Sequence, residues 1–366
     1  MTTRRSEPRQ DRRAVDRLLQ VAPWRPVLVA WLVSRVLSIF TLMVLGARDV
    51  PRPDITRLVM WDGGWYQLIA SHGYGPPPID GVWSVWPFFP LYPALVRGLH
   101  LVGSPYSFAQ VLVANAALLV ALAGVWRLAR RHVSATAASY AVWITALFPG
   151  GITFAMGYSD SLYLAGAVWA FVLLEERRPV AAGAAALVAT AARPNGFVVV
   201  VSLVVAAVVQ YRSREPDRRR AVVAVAAPSV AFLIVWMGVC WYHTDDPLVF
   251  LTAKSAWVEY TLAEAPTYLP ASLHVAMAAL LALPFVLRIR RQPVAWVVLV
   301  VLSLLPSLVL GVVGLGRYAV GCFPLAIAAG ALLARWDARL ARLALAGSAA
   351  ALVGWALLVT QSSYVP

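Results

Sequence analysis

Long apolar runs separated by short arginine-bearing stretches set the pattern of this chain. Eleven runs qualify as spans: residues 26–47, 106–126, 134–153, 160–174, 180–192, 197–210, 221–241, 271–287, 293–313, 318–334 and 341–361. About 20 residues of helix, rising 1.5 Å each, cross the ~30 Å hydrocarbon core of a bilayer. The pattern therefore predicts an all-α polytopic membrane protein with about 11 transmembrane helices. Residues 1–24 read as a basic arm in which Glu7, Asp11 and Asp16 interrupt the arginines, and 25–366 as a single transmembrane domain. A large loop, 48–105, follows the first span, and a second covers 242–270. The first span is expected to serve as an uncleaved anchor.

Charge orients this array. With eleven spans, 23 of the 31 basic residues fall on the side of the arm and seven on the other, while Arg35 lies within the first span. Positive residues stay inside, so the arm is expected in the cytoplasm against anionic lipid, and both loops outside a bacterial plasma membrane. Only 13% of the residues are charged and 61% are hydrophobic, against roughly 25% charged in a soluble domain. The net charge of +14 sits in clusters between apolar runs, which argues for membrane orientation and against nucleic acid as a partner. Cys240 and Cys322 both lie in apolar runs, so neither a disulfide nor a metal site is implied.

Several places break the pattern. The first span carries Ser34-Arg35 near its middle, where a charge must face the bundle interior or a cavity. The large loop holds W61-D-G-G-W-Y66, a helix-like run from Gln67 to Ser71, and then His72-Gly73-Tyr74-Gly75. Its second half, 85–100, is apolar but contains three prolines, and is expected to form a helix lying in the membrane interface. Pro149-Gly150-Gly151 interrupts the third span ahead of Tyr158-Ser159-Asp160, where Ser159 and Asp160 also suit a helix N-cap. The arms 180–192 and 197–209 reach only about 20 Å each, so Arg193-Pro194-Asn195-Gly196 between them should sit below the outer surface, in a cavity. Arg317 and Tyr318 stand at the outer end of a later span.

Walker loops, H-E-x-x-H, C-x-x-C pairs and G-x-S-x-G elbows are absent from the sequence, and the five histidines show no metal-ligand spacing. What remains is an outward set of Asp62, Asp160, Arg193 and Arg317 with His72 and aromatics. A carboxylate base, arginines for a phosphate and aromatic faces for a sugar suit glycosyl transfer from a lipid phosphate. An outward carboxylate of this set is the expected base, and Arg193, Arg317 and Arg35 are the expected phosphate ligands. Trp61, Trp65, Tyr66, His72, Tyr158, Asp160, Asn195 and Tyr318 are the expected sugar and acceptor contacts. No cofactor is implied, although isolated carboxylates could hold a divalent metal ion. The competing function is a transporter or flippase for a lipid-linked sugar, which predicts broken helices in matching halves.

The stretches S34-R-V-L37, W61-D-G-G-W-Y-Q-L-I-A-S-H-G-Y74, W86-P-F-F-P-L-Y-P93, F148-P-G-G-I-T-F-A-M-G-Y-S-D-S-L-Y163, A192-R-P-N-G196 and G316-R-Y318 occur in that order. In them the chain resembles the PIG-V family of mannosyltransferases, within the GT-C membrane glycosyltransferases. The family more often carries Glu where Asp160 stands and Ser where Pro194 stands. The resemblance implies a GT-C-type bundle whose large first outer loop bears interfacial helices and whose loop aspartate, matched by Asp62, is the base. It also implies a polyprenyl-phosphate mannose donor, an inverting reaction, and a glycolipid, glycan or protein acceptor.

Overall fold

Each of the eleven apolar runs is helical in the computed structural model, which describes residues 24–45, 54–79, 82–257 and 260–361. The basic arm, apart from Trp24, lies outside the described residues. In chain order the helices are α1 (Arg25–Phe40), α2 (Asp62–His72), α3 (Leu91–Leu101), α4 (Tyr106–His132), α5 (Ala135–Leu147), α6 (Asp160–Glu175), α7 (Pro179–Ala192) and α8 (Phe197–Gln210). There follow α9 (Glu215–Thr244), α10 (Val249–Thr252), α11 (Leu269–Val286), α12 (Val294–Leu310), α13 (Leu315–Val320), α14 (Phe323–Leu333) and α15 (Ala338–Gln361). Among the described residues there is no strand.

Two lengths of helix build the bundle. α1 with its π-helical continuation Thr41–Leu45, α4, α9, α11 and α15 are each long and apolar enough to cross a membrane. The chain is an integral membrane protein. The other six, α5 to α8, α12 and α14, have 11 to 17 residues and reach about 16–26 Å, short of the hydrocarbon core. Proline and glycine stop them. α5 ends at Leu147, six residues before its run does, and Pro149–Phe154 tightens into a 3-10 turn. Arg193 is extended (φ −153°, ψ 147°), as a residue preceding proline should be, and Pro194–Gly196 turns the chain into α8. The run 318–334, expected as one span, is two helices, because Gly321 and Cys322 break it before Pro324 opens α14.

The broken ends pack on one another because they lack side chains. A Cβ on Gly150 would lie 2.4 Å from the Gly316 carbonyl oxygen, so only glycine lets the Pro149 turn touch the first turn of α13. A Cβ on Gly196 would lie 2.3 Å from the Ala189 oxygen, where the α7–α8 turn folds back onto α7. Small residues do the same along helix shafts: α7 is largely alanine and lies against α6 and α9. Such residues bring backbones close where lipid supplies no hydrophobic force between helices. One apolar core runs through the whole bundle from Val27 to Val359.

A second, aromatic core lies under the large loop. α2 begins at Asp62, five residues earlier than the helix-like run in the sequence, because Gly63 and Gly64 are helical in its first turn. In the apolar stretch 85–100 only the part from Leu91 onward is helical, and Val85 to Pro90 form a plug in which Trp86 and Phe89 are fully buried. Pro87 and Pro90 keep that plug out of the helix, while Pro93 fits the first turn of α3, where no N–H is needed. Tyr66, Phe89 and Tyr92 meet Trp236 of α9 and Phe250 of α10 in this core. The two loops are thereby joined at one end of the bundle. At the opposite end Arg127 and Arg131 pair with Glu176, and His132 with Glu175, in half-exposed contacts worth little in water.

Candidate active site

Trp61 adopts φ 59° and ψ −123°, a conformation that a bulky residue rarely holds without being forced. This kink begins α2 abruptly and places Asp62 in its first turn. The base of the turn is pinned from three sides. The backbone N–H of Asp62 donates to the Tyr158 hydroxyl (3.3 Å), Gln110 Nε2 donates to the Gly63 carbonyl (2.8 Å), and the Gly157 N–H donates to the Leu58 carbonyl (2.6 Å).

Asp62 meets three charged residues from distant parts of the chain. Arg317 Nη1 donates to Asp62 Oδ2 at 2.8 Å, while its Nε and Nη2 donate in parallel to Asp160 Oδ1 and Oδ2, both at 2.7 Å. Arg193 Nη1 pairs with Asp160 Oδ1. The Arg317 guanidinium lies over the Tyr158 ring (4.7 Å to its centroid) and that of Arg193 over the Tyr318 ring (5.5 Å). All four charged residues are at most 9% exposed. Two carboxylates and two guanidiniums balance, as burial requires of charge. Asp62 accepts through Oδ2, and Oδ1 has no protein partner among the described residues.

The cluster settles how Ser159 and Asp160 are used. Ser159 occupies the N-cap position of α6 but makes no capping bond, because its Oγ lies 2.5 Å from the Tyr66 hydroxyl. The Asp160 carboxylate turns to the two arginines instead of capping. The N-cap alternative for these two residues is thus overturned. Arg193 and Arg317, expected to face a phosphate, are engaged first by carboxylates.

Most of the expected site residues are here. Tyr158 and Tyr318 carry the guanidiniums, Tyr66 ties α2 to α6, and Trp61 shapes the turn. Asn195 stands beside Arg193 with a buried Oδ1 that has no partner among the described residues. Trp65 stacks on Phe88 at the rim of the aromatic core. Two residues are elsewhere. His72 is exposed at the far end of α2, with Nδ1 2.8 Å from Ser71 Oγ and about 15 Å along the helix from Asp62. Arg35 is buried on α1 and donates to Asn115 Oδ1 at 3.0 Å, outside the four-charge cluster.

Sequence reading missed the supports. Gln110, Tyr92 and His274 hold the site from within apolar helices: the Tyr92 hydroxyl donates to the Gln110 carbonyl (2.8 Å), and His274 Nδ1 accepts from the Gly316 N–H (3.3 Å). The signal for Gln110 and His274 was their polarity inside apolar runs. Among the described residues no three His, Cys, Asp or Glu side chains converge, and the site carboxylates face guanidiniums.

No family model and no curated protein matches the chain. Solved structures do. The apo oligosaccharyltransferase of the archaeon Archaeoglobus fulgidus superposes with a TM-score of 0.57 at 13% identity, over 93% of this chain and 56% of that one. The archaeal oligosaccharyltransferase AglB of the same organism, in complex with an inhibitory peptide and a dolichol-phosphate, superposes with a TM-score of 0.49 at 13% identity, over 94% and 57%. The chain spans a little over half the length of these proteins. The first likeness shows the fold, an all-α membrane fold shared with that oligosaccharyltransferase.

Proposed function

We propose that the protein is a GT-C glycosyltransferase that moves a mannosyl residue from a polyprenyl phosphate to an acceptor hydroxyl at the outer face of a bacterial plasma membrane. The observation that carries this reading is the convergence of Asp62, Asp160, Arg193 and Arg317 where the short helices break. The GT-C-type fold supports the enzyme class. The W-D-G-G-W-Y and F-F-P-L-Y-P stretches support the PIG-V-like specificity, and the distribution of arginine supports a site facing outward with the N-terminus inside. The acceptor is a lipid, glycan or protein hydroxyl.

In this reading Asp62 Oδ1 takes the acceptor proton while the hydroxyl oxygen attacks the anomeric carbon. The bond from that carbon to the phosphate oxygen breaks, and polyprenyl phosphate leaves with the electron pair on the opposite face, inverting the centre. Asp160 is a positioning residue: it holds both guanidiniums at fixed places, with N–H donors left over for the departing phosphate. Arg317, gripping Asp62 through Oδ2, keeps Oδ1 turned to the acceptor.

The test is sugar transfer from radiolabelled polyprenyl-phosphate mannose in membranes that lack other such transferases. Wild type should label an acceptor fraction, and Asp62→Asn, which retains an oxygen for Arg317, should lose about 10²-fold or more. A folded wild type that transfers no sugar from any polyprenyl phosphate to a full set of acceptors would overturn the reading in favour of a flippase for lipid-linked sugar.

A further inference from the structure

A groove lies between α5 and α15, away from the charge cluster. Arg342, in the second turn of α15, lines it together with Ala135 and Thr136 at the start of α5. Farther along, Ser348 Oγ donates to the Leu147 carbonyl at the end of α5 at 3.0 Å, so the two helices run side by side in one direction. Small residues hollow the groove out. Ala135 on α5 and Ala346 and Ala349 on α15 leave a volume of about 540 Å3 beside the half-buried rings of Tyr140 and Trp143. Only 22% of the apolar stretch of α15 is buried in the protein, against 61% of that of α4. α15 therefore borders the bilayer, and the groove along it is open to lipid.

Polarity changes along the groove in one direction. Thr136, Ser139, Tyr140 and Arg342 line the part at the end of the bundle, and Trp143, Leu147, Ala346 and Ala349 the part toward its middle. From Thr136 to Leu147 the helix rises roughly 16 Å, about half of the ~30 Å hydrocarbon core and so the depth of one leaflet. Arg342 Nε donates to the Ala338 carbonyl at 3.0 Å, which turns the guanidinium back toward the start of α15 and the polar end of the groove. One of its five N–H donors serves that bond, and a guanidinium presents the rest as a planar fork that fits a phosphate. An apolar channel one leaflet deep, with a cation and hydroxyls at its interfacial end, matches a phospholipid in shape, polarity and charge.

We propose that the groove between α5 and α15 binds one anionic phospholipid, its phosphate on Arg342 and an acyl chain along Trp143 and Ala349. In the proposed orientation this lipid belongs to the inner leaflet, where anionic headgroups meet basic residues. The site is separate from the charge cluster and does not depend on the glycosyltransferase reading. It is tested by titrating the purified protein in neutral detergent with phosphatidylglycerol and with zwitterionic phosphatidylcholine. Bound lipid is counted by native mass spectrometry, with thermal unfolding as the control for folding. Wild type should retain one phosphatidylglycerol and bind it more tightly than phosphatidylcholine. Arg342→Gln should bind phosphatidylglycerol about fivefold more weakly, and Ala346→Trp, which fills the apolar part, should lose the bound lipid of either kind. Arg339→Gln, an exposed neighbour outside the groove, should stay within about twofold of wild type. Equal affinity of wild type for the two lipids would overturn the inference, and so would unchanged binding in Arg342→Gln or in Ala346→Trp. An equal loss in Arg339→Gln would overturn it in favour of diffuse surface charge. A lipid-free dimer that Ala346→Trp breaks would overturn it by giving the groove to a second copy of the chain.

Discussion

At the scale of the residue, the site is a problem in charge burial. Asp160 accepts three hydrogen bonds from Arg193 and Arg317 together, whereas Asp62 accepts one. Removing one partner from a buried ion cluster leaves the others uncompensated, at a cost of ~3–5 kcal/mol. Asp160→Asn should therefore lower the unfolding temperature in detergent clearly more than Asp62→Asn does, and Asp160→Asn combined with Arg193→Met should recover part of that loss. The reverse order of the two single variants would show that the cluster does not share charge in this way. Arg317→Lys keeps the charge but loses the parallel pair of bonds to Asp160 and the link to Asp62, since an ammonium cannot fork. Transfer should fall by at least tenfold although the net charge is the same, a result read from initial rates of sugar transfer. The two site carboxylates already face guanidiniums, which makes them poor ligands for an added cation. Chelation with EDTA should accordingly leave transfer within about twofold, whereas a loss beyond tenfold that Mg2+ or Mn2+ restores would mean that they exchange arginine for metal.

At the scale of the element, the decisive features are helices that stop short. The breaks at Pro149 and Pro194 were visible in the sequence as proline and glycine, because a missing N–H and a missing Cβ act locally, whatever the rest of the chain does. The break at Gly321 and Cys322, by contrast, falls inside the run 318–334, expected as one continuous span. What a break touches was not visible. Gly150 is pressed against Gly316, so Gly150→Ala would drive a methyl group into backbone and push α13, with Arg317, away from the Pro149 turn. The expected outcome is loss of most transfer activity and lowered stability. The comparison is Gly98→Ala in α3, where nothing lies within 4 Å of the added carbon and both properties should be retained. Equal behaviour of the two variants would remove the Gly150–Gly316 contact from any role in placing Arg317. The stretch 85–100 teaches a related lesson. Its apolar content was legible as something other than a span, but its first six residues are a buried aromatic plug, since their partners Trp236 and Phe250 arrive from α9 and α10.

At the scale of the whole molecule, the bundle has a site end and an opposite end lined by Arg127, Arg131, Glu175 and Glu176. In the proposed orientation, which rests on the uneven distribution of arginine, the first lies outside. Cysteine placed at Trp83 or Lys254 should react with a membrane-impermeant maleimide in intact cells, and cysteine at Arg127 only after permeabilisation. The native Cys240 and Cys322 are buried and contribute little background. Labelling of the Arg127 position in intact cells would invert the topology and with it the proposed outer-face acceptor.

The sequence by itself determined the apolar runs and their helices, the breaks at Pro149 and Pro194, the excess of arginine between particular runs, and a loop in which an aspartate stands among aromatics. These are local properties: the length of an apolar run, the lack of a proline N–H and the chemistry of a side chain hold before any packing occurs. Only the tertiary structure decided which charges meet. It joined Arg317 to Asp160 across 157 positions and to Asp62 across 255, left Arg35 with Asn115, and held His72 away from the site. No local pattern encodes such pairings, because a buried charge takes whichever counter-charge the packing of distant helices brings within reach.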